Sequence, residues 1–162
     1  MRVRIKLIIG CLIAFAIISF AAHAQTGPGK QAFYNAMASG SAAVWNKQLE
    51  AVNTLTGNDK NAFQGALLMR KSSSQKTPGQ KLSMFKQGHK LLEAAISQEA
   101  KNPEFRFLRL MIQENAPKIV GYNNNITDDA RLVKASYKSF PETVQKAVLS
   151  YSKTSKALKG LQ

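Results

Sequence analysis

Cysteine and histidine are nearly missing from this chain of 162 residues, which has one of the first and two of the second. A single thiol, Cys11, allows no disulfide framework and no paired-cysteine redox or metal motif, so stability has to come from an apolar core. With His23 and His89 as the only imidazoles, a Ser/His/Asp triad or a histidine-rich metal site has almost nothing to be built from. Carboxylates are scarce too, nine against 23 Lys and Arg. No Gly-x-Ser-x-Gly, phosphate-binding or dinucleotide-binding loop occurs. The sequence therefore predicts no catalytic residues, no metal, no cofactor and no enzymatic activity.

What is present begins with an export pattern. Arg2, Arg4 and Lys6 precede an apolar run over residues 7–21, and Ala22-His23-Ala24 has the small-x-small form of a cleavage site. Residues 1–24 are expected to be a signal peptide, with Gln25 as the mature N-terminus and a periplasmic or secreted destination. The run is short for a spanning helix and is followed at once by the cleavage triplet, which argues against a retained anchor. Cys11 comes too early in it for a lipid-attachment site. Cleavage would remove Cys11, His23 and three basic residues with no acidic one, leaving 20 basic against nine acidic and a net charge of about +11. Such a balance favours anionic partners.

Residues 25–29 read as a Gly/Pro linker, and 30–162 as a single helical domain. Ala32, Phe33, Ala36 and Met37 share a helix over 30–39. Ser41 is placed to cap a second helix carrying Val44, Trp45, Leu49 and Val52, and a third is expected from Asp59 to about Ser74. Thr77-Pro78-Gly79-Gln80 fits a capping box opening a long helix to about Ala100. Asn102-Pro103 opens a helix through Phe105, Arg106, Phe107, Leu108, Arg109, Leu110, Met111 and Ile112, apolar on nearly every side and so expected at the centre of the fold. Thr127 with Asp128 and Asp129 suits the start of a sixth helix. Ser139-Phe140-Pro141-Glu142 has the form of a second capping box, opening a seventh whose stripe is Val144, Val148, Tyr151 and Leu158. No segment alternates like a strand. The fold expected is all-α, about seven helices in antiparallel pairs.

Gly88, Leu92, Ala95 and Ala100-Lys101-Asn102 have the spacing of the second helix of a tetratricopeptide repeat and its turn, and the stretch from Lys90 to Ile96 through Asn102-Pro103-Glu104 resembles that junction. Ala100 stands where the repeat usually has proline, and the turn after Ser72 is long for a 34-residue unit. Asn58 and Asn102, each followed five residues on by a phenylalanine (Phe63 and Phe107), echo at the longer period of other helical repeats. Residues 105–117 also look like a small family of exported bacterial proteins without known activity. The repeat resemblance implies close packing at Gly88 and a groove for a protein or peptide.

Four residues are candidates to line such a groove: His89, Arg106, Arg109 and Tyr122. Arg106 and Arg109 lie on one side of the most apolar helix, so they either find carboxylates, with Glu93, Glu104 and Glu114 in reach, or hold an anionic group bidentately. Tyr34, Trp45 and Tyr137 could line it too, although aromatics at helical spacing are more often core. Asn123, Asn125, Thr127, Asp128 and Asp129 fail as a calcium loop, for Lys134 falls at the twelfth position and the sixth is not glycine. Asn125-Ile126-Thr127 is formally a glycosylation sequon, expected to be unused in a bacterial host. The lysines are scattered and not interleaved with exposed aromatics, which argues against nucleic acid. The leading expectation is a non-enzymatic exported binding or scaffold protein. An enzyme with a cleft around His89, Glu104, Arg106 and Arg109 is one alternative, and electrostatic adherence to an anionic envelope component is another.

Overall fold

Thr77 and Asn102 each cap a helix through the side chain, as their sequence implies. The computed structural model describes residues 28–161; the expected signal segment 1–24 lies outside the described residues. Seven α-helices follow one another: α1 (Pro28–Ala38), α2 (Ala42–Val52), α3 (Gly57–Ser72), α4 (Pro78–Gln98), α5 (Pro103–Asn115), α6 (Ile126–Ser136) and α7 (Glu142–Ser152). Single 3-10 turns lie at Lys118–Val120 and Tyr137–Ser139, and no strand occurs among the described residues. At α4 the Gln80 N–H donates to Thr77 Oγ1 and the Thr77 N–H to Gln80 Oε1, both at 3.2 Å. At α5 the Asn102 side chain accepts from the amides of Glu104 (3.0 Å) and Phe105 (3.3 Å).

Other boundaries differ from the sequence reading. Pro28-Gly29 belongs to the first turn of α1 where a linker was expected, which suits proline's fixed φ. Ser41 makes no side-chain cap bond. Gly57, at φ 60°, turns the chain directly into α3, so that helix starts before Asp59. Thr127 does not cap α6: the helix already starts at Ile126, and the Asp129 amide that a Thr127 cap would take bonds the Asn125 carbonyl at 2.9 Å. Nor is there a second capping box. Ser139 Oγ donates to the Ser136 carbonyl at 2.7 Å instead, and α7 starts after Pro141. α7 also stops at Ser152, and Leu158 reaches the core by a turn rather than along a helical stripe.

α5 is the centre of the molecule. Phe105, Phe107, Leu108 and Leu110 on it are fully out of water, each worth about 1.5–3 kcal/mol of burial. α3, α4, α6 and α7 pack around it, while Lys30 and Tyr34 bring α1 to its first turn through Glu104. α3 and α4 form an antiparallel hairpin with its closest approach at Gly65 and Gly88. Small residues there let the backbones touch, as the Gly88 spacing implied. α4 is the longer partner: Leu82, six residues before Gly88, extends past the end of α3, whose last residue is only three beyond Met69, the residue facing Gly88. That overhang leaves part of the α4 apolar stripe uncovered.

Candidate functional site

The two arginines of α5 are drawn into a closed polar cluster. Arg109, only 4% exposed, donates through Nε to Asp129 Oδ2 at 2.7 Å and through one terminal nitrogen to Asp129 Oδ1 at 2.9 Å, a bidentate grip. Its other terminal nitrogen meets Glu93 Oε2 at 2.9 Å. Burial by itself would lower the guanidinium's pKa; the bonds to Asp129 and the charges of Asp129 and Glu93 outweigh it and hold Arg109 above its ordinary value. Arg106 adds Nε to Asp129 Oδ1 and reaches the Ala100 carbonyl at 3.2 Å. Tyr122 donates its hydroxyl to Glu93 Oε1, and burial followed by that bond raises its pKa far above the usual phenol range. His89 lies edge-on to the Tyr122 ring, with centroids 4.6 Å apart.

The sequence candidates are thus brought together, but as a structural knot. Asp129 is the partner that sequence reasoning missed, read there as a carboxylate suited to a helix dipole; it is fully buried. Of the carboxylates expected near the arginines, only Glu93 joins them. Glu104 accepts from Lys30 (2.6 Å) and Tyr34 (2.8 Å) on α1, so it lies in a different cluster from His89. Glu114 accepts from Tyr151, Ser155 and the Ala157 amide. Among the described residues no buried polar side-chain atom lacks a partner, and no group of His, Cys, Asp and Glu is placed to hold a metal ion. Every acceptor of the knot is spent on the fold.

The open surface is elsewhere. A trough of about 990 Å³ runs between α1, α3, α4, α5 and α7, floored by Met37, Met69 and Met111, with Leu82, Phe85 and Ile119 also in its lining. Two features of the chain produce it. One is the overhang of α4. The other is Pro117, which cannot continue α5: one 3-10 turn follows, Gly121 reverses the chain at φ 63°, and Ile119 between them is thrown outward, 95% exposed. Leu82, also in the trough's lining, is 44% exposed. Methionine, unbranched and polarisable, suits a floor that must adapt to an occupant. Among the described residues no carboxylate lines this trough; its charged residues are Arg70, Lys81 and Lys146.

His89, Arg106 and Arg109 line neither the trough nor the second hollow beside it, whereas Tyr122 lines the second. Tyr34 lines the trough, with a hydroxyl committed to Glu104. The trough did have a signature in the sequence, an α4 stripe from Leu82 to Ile96 wider than one partner helix covers. No family model, curated protein or solved structure matches this chain.

Proposed function

We propose that this chain is an exported, non-enzymatic helical binding module that takes an apolar ligand or segment into the trough. The observation that carries the reading is the pair of large hydrophobic side chains, Leu82 and Ile119, exposed to water in the lining of a methionine-floored hollow. Apolar groups so placed gain on being covered, and a contiguous apolar hollow with a polar rim is the usual form of a binding site. The arginine cluster, its acceptors all paired within the chain, serves as the frame that fixes α4, α5 and α6. Export rests on the N-terminal pattern of residues 1–24, and the tetratricopeptide-like junction around Gly88 supports a repeat-like scaffold. No helix among the described residues is long and apolar enough to cross a membrane.

Titration with an uncharged environment-sensitive dye such as Nile red tests the trough. Binding should be lost in Leu82→Glu and Ile119→Glu, while the helical spectrum of both variants stays that of the parent, since both positions are exposed. A dye that fails to bind, or binds the variants equally, removes the trough as a site. Intact-mass measurement of the exported protein should show Gln25 as its first residue; a retained signal would overturn export by cleavage.

A further inference from the structure

Beside the trough lies a second hollow of about 820 Å³, a basin with a different chemistry. Lys118, Arg131, Lys134 and Lys156 line it, and Glu114 is its one carboxylate among the described residues. That carboxylate is already satisfied by Tyr151 Oη at 2.9 Å, Ser155 Oγ at 2.6 Å and the Ala157 amide at 3.0 Å. Lys118, Lys134 and Lys156 form no ion pair among the described residues, and Arg131 has only an exposed one, with Asp128 at 3.1 Å. The basin and the trough share a rim made by Asn115, Ala116, Pro117, Tyr151 and Thr154, where α5 and α7 end.

Of the trough's three cations, two have partners, and Lys81 has no ion pair among the described residues. Arg70 donates to the Met37 carbonyl at 3.1 Å and lies 5.9 Å from the Trp45 ring, and Lys146 pairs with Glu142 at 2.6 Å. Four cations lie past the rim, three of them without an ion pair among the described residues, against one such cation, Lys81, in the trough; attraction for an anion is therefore stronger past the rim than over the apolar floor. We propose that trough and basin together hold a single-chain lipid phosphate, with its acyl chain on the methionine floor and its phosphate over the rim among Lys118, Arg131, Lys134 and Lys156. This rests on the trough being the binding site.

Two other occupants fit less well. An amphipathic helix separates charge from apolar surface by face, along its whole length. Here the separation is by end, as in a lipid. The chain's own apolar run at residues 7–21 is preceded by Arg2, Arg4 and Lys6, of the same sign as the basin. A phosphate monoester, with a charge between −1 and −2 near neutral pH, complements several close cations better than a monovalent carboxylate does.

The test is displacement of Nile red from the protein as it accumulates in its native cells, purified without detergent. Palmitoyl lysophosphatidate should displace the dye at a concentration about tenfold lower than monopalmitoylglycerol, which has the same chain and no charge. That advantage should shrink to about threefold or less in the Lys134→Glu/Lys156→Glu double variant and in high salt, with dye affinity unchanged. Equal displacement by the two lipids would overturn the assignment of the basin as a head-group site. So would displacement by an acidic amphipathic peptide but by neither lipid. In both of those cases dye binding that still depends on Leu82 leaves the trough standing, whereas absence of dye binding to the parent removes the trough and the lipid together.

Discussion

Gly65 and Gly88 face each other across α3 and α4 so closely that a Cβ on the first would lie 2.6 Å from the carbonyl oxygen of the second, and a Cβ on the second 2.5 Å from that of the first. Because the obstacles are backbone atoms, neither position can yield by rotating a side chain. Gly65→Ala and Gly88→Ala should each destabilise by about 1–3 kcal/mol through forced separation of the helices. Gly79, in the first turn of α4 with open space where its Cβ would be, is the control; its change to Ala should stabilise by about 0.4–1 kcal/mol. Thermal unfolding of the three variants separates close packing from helix propensity.

Arg109 and Asp129 should be the costliest polar residues to remove. Arg109→Ala leaves a buried carboxylate with a weakened partner set and should cost about 3–5 kcal/mol. Arg106 is less enclosed, and Asp129 keeps its bidentate bond to Arg109 without it, so Arg106→Ala should cost less, about 1.5–3 kcal/mol. Asp129→Ala sets two guanidinium groups together without their common acceptor and should be no milder than Arg109→Ala. Urea midpoints would measure all three, and a near-parent midpoint for Asp129→Ala would mean that the cluster is not the frame.

Cap residues of like appearance should differ sharply. Asn102→Ala removes an acceptor used by two amides and should cost about 0.5–2 kcal/mol. Ser41→Ala and Ser139→Ala remove no cap bond and should remain within about 0.5 kcal/mol of the parent in chemical denaturation.

Tyr34, Tyr122 and Tyr151 all have phenol pKa values raised in the folded protein, first by burial and then by a carboxylate that accepts their hydroxyl: Glu104, Glu93 and Glu114 respectively. A raised value means that the folded state holds the proton more tightly than the unfolded chain, whose phenols release it near the ordinary value of 10.0. The stabilisation is fully present below that pH and is lost as the pH climbs above it. Phenolate absorbance from these residues should rise together with loss of the helical signal in an alkaline titration. Ionisation well ahead of unfolding would contradict their burial.

The helical plan was legible because local chemistry carries it. Thr77, Pro78 and Gln80, or Asn102 and Pro103, act on amides within a turn of themselves, and the all-round apolar pattern of α5 requires neighbours whichever they are. Gly88 was readable from its spacing. Its partner Gly65 was not, although Ala62, Gly65 and Ala66 form a small-residue face that is visible once a close neighbour is suspected. Asp129 was misread because the start of a helix suits a carboxylate in water as well as one paired to arginine, and only the docking of α6 on α5 decides between them. The end of α7 escaped for a similar reason: Leu158 keeps the helical spacing by coincidence. The trough depends on the differing lengths of α3 and α4 and on the turn at Pro117, both properties of assembled helices.

Glu114 gives the C-terminal stretch a role that its loose secondary structure hides. One carboxylate accepts from Tyr151, Ser155 and the Ala157 amide, Ser155 Oγ in turn accepts from the Leu158 amide at 2.9 Å, and Leu158 is wholly buried. This stretch is therefore a plug seated in the body of the protein, held at Leu158 through Ser155 and Glu114. Unseating the plug would expose Leu158 and carry Lys156 away from the basin in the same movement, so that one carboxylate, Glu114, ties the closure of the core to the charge of the basin.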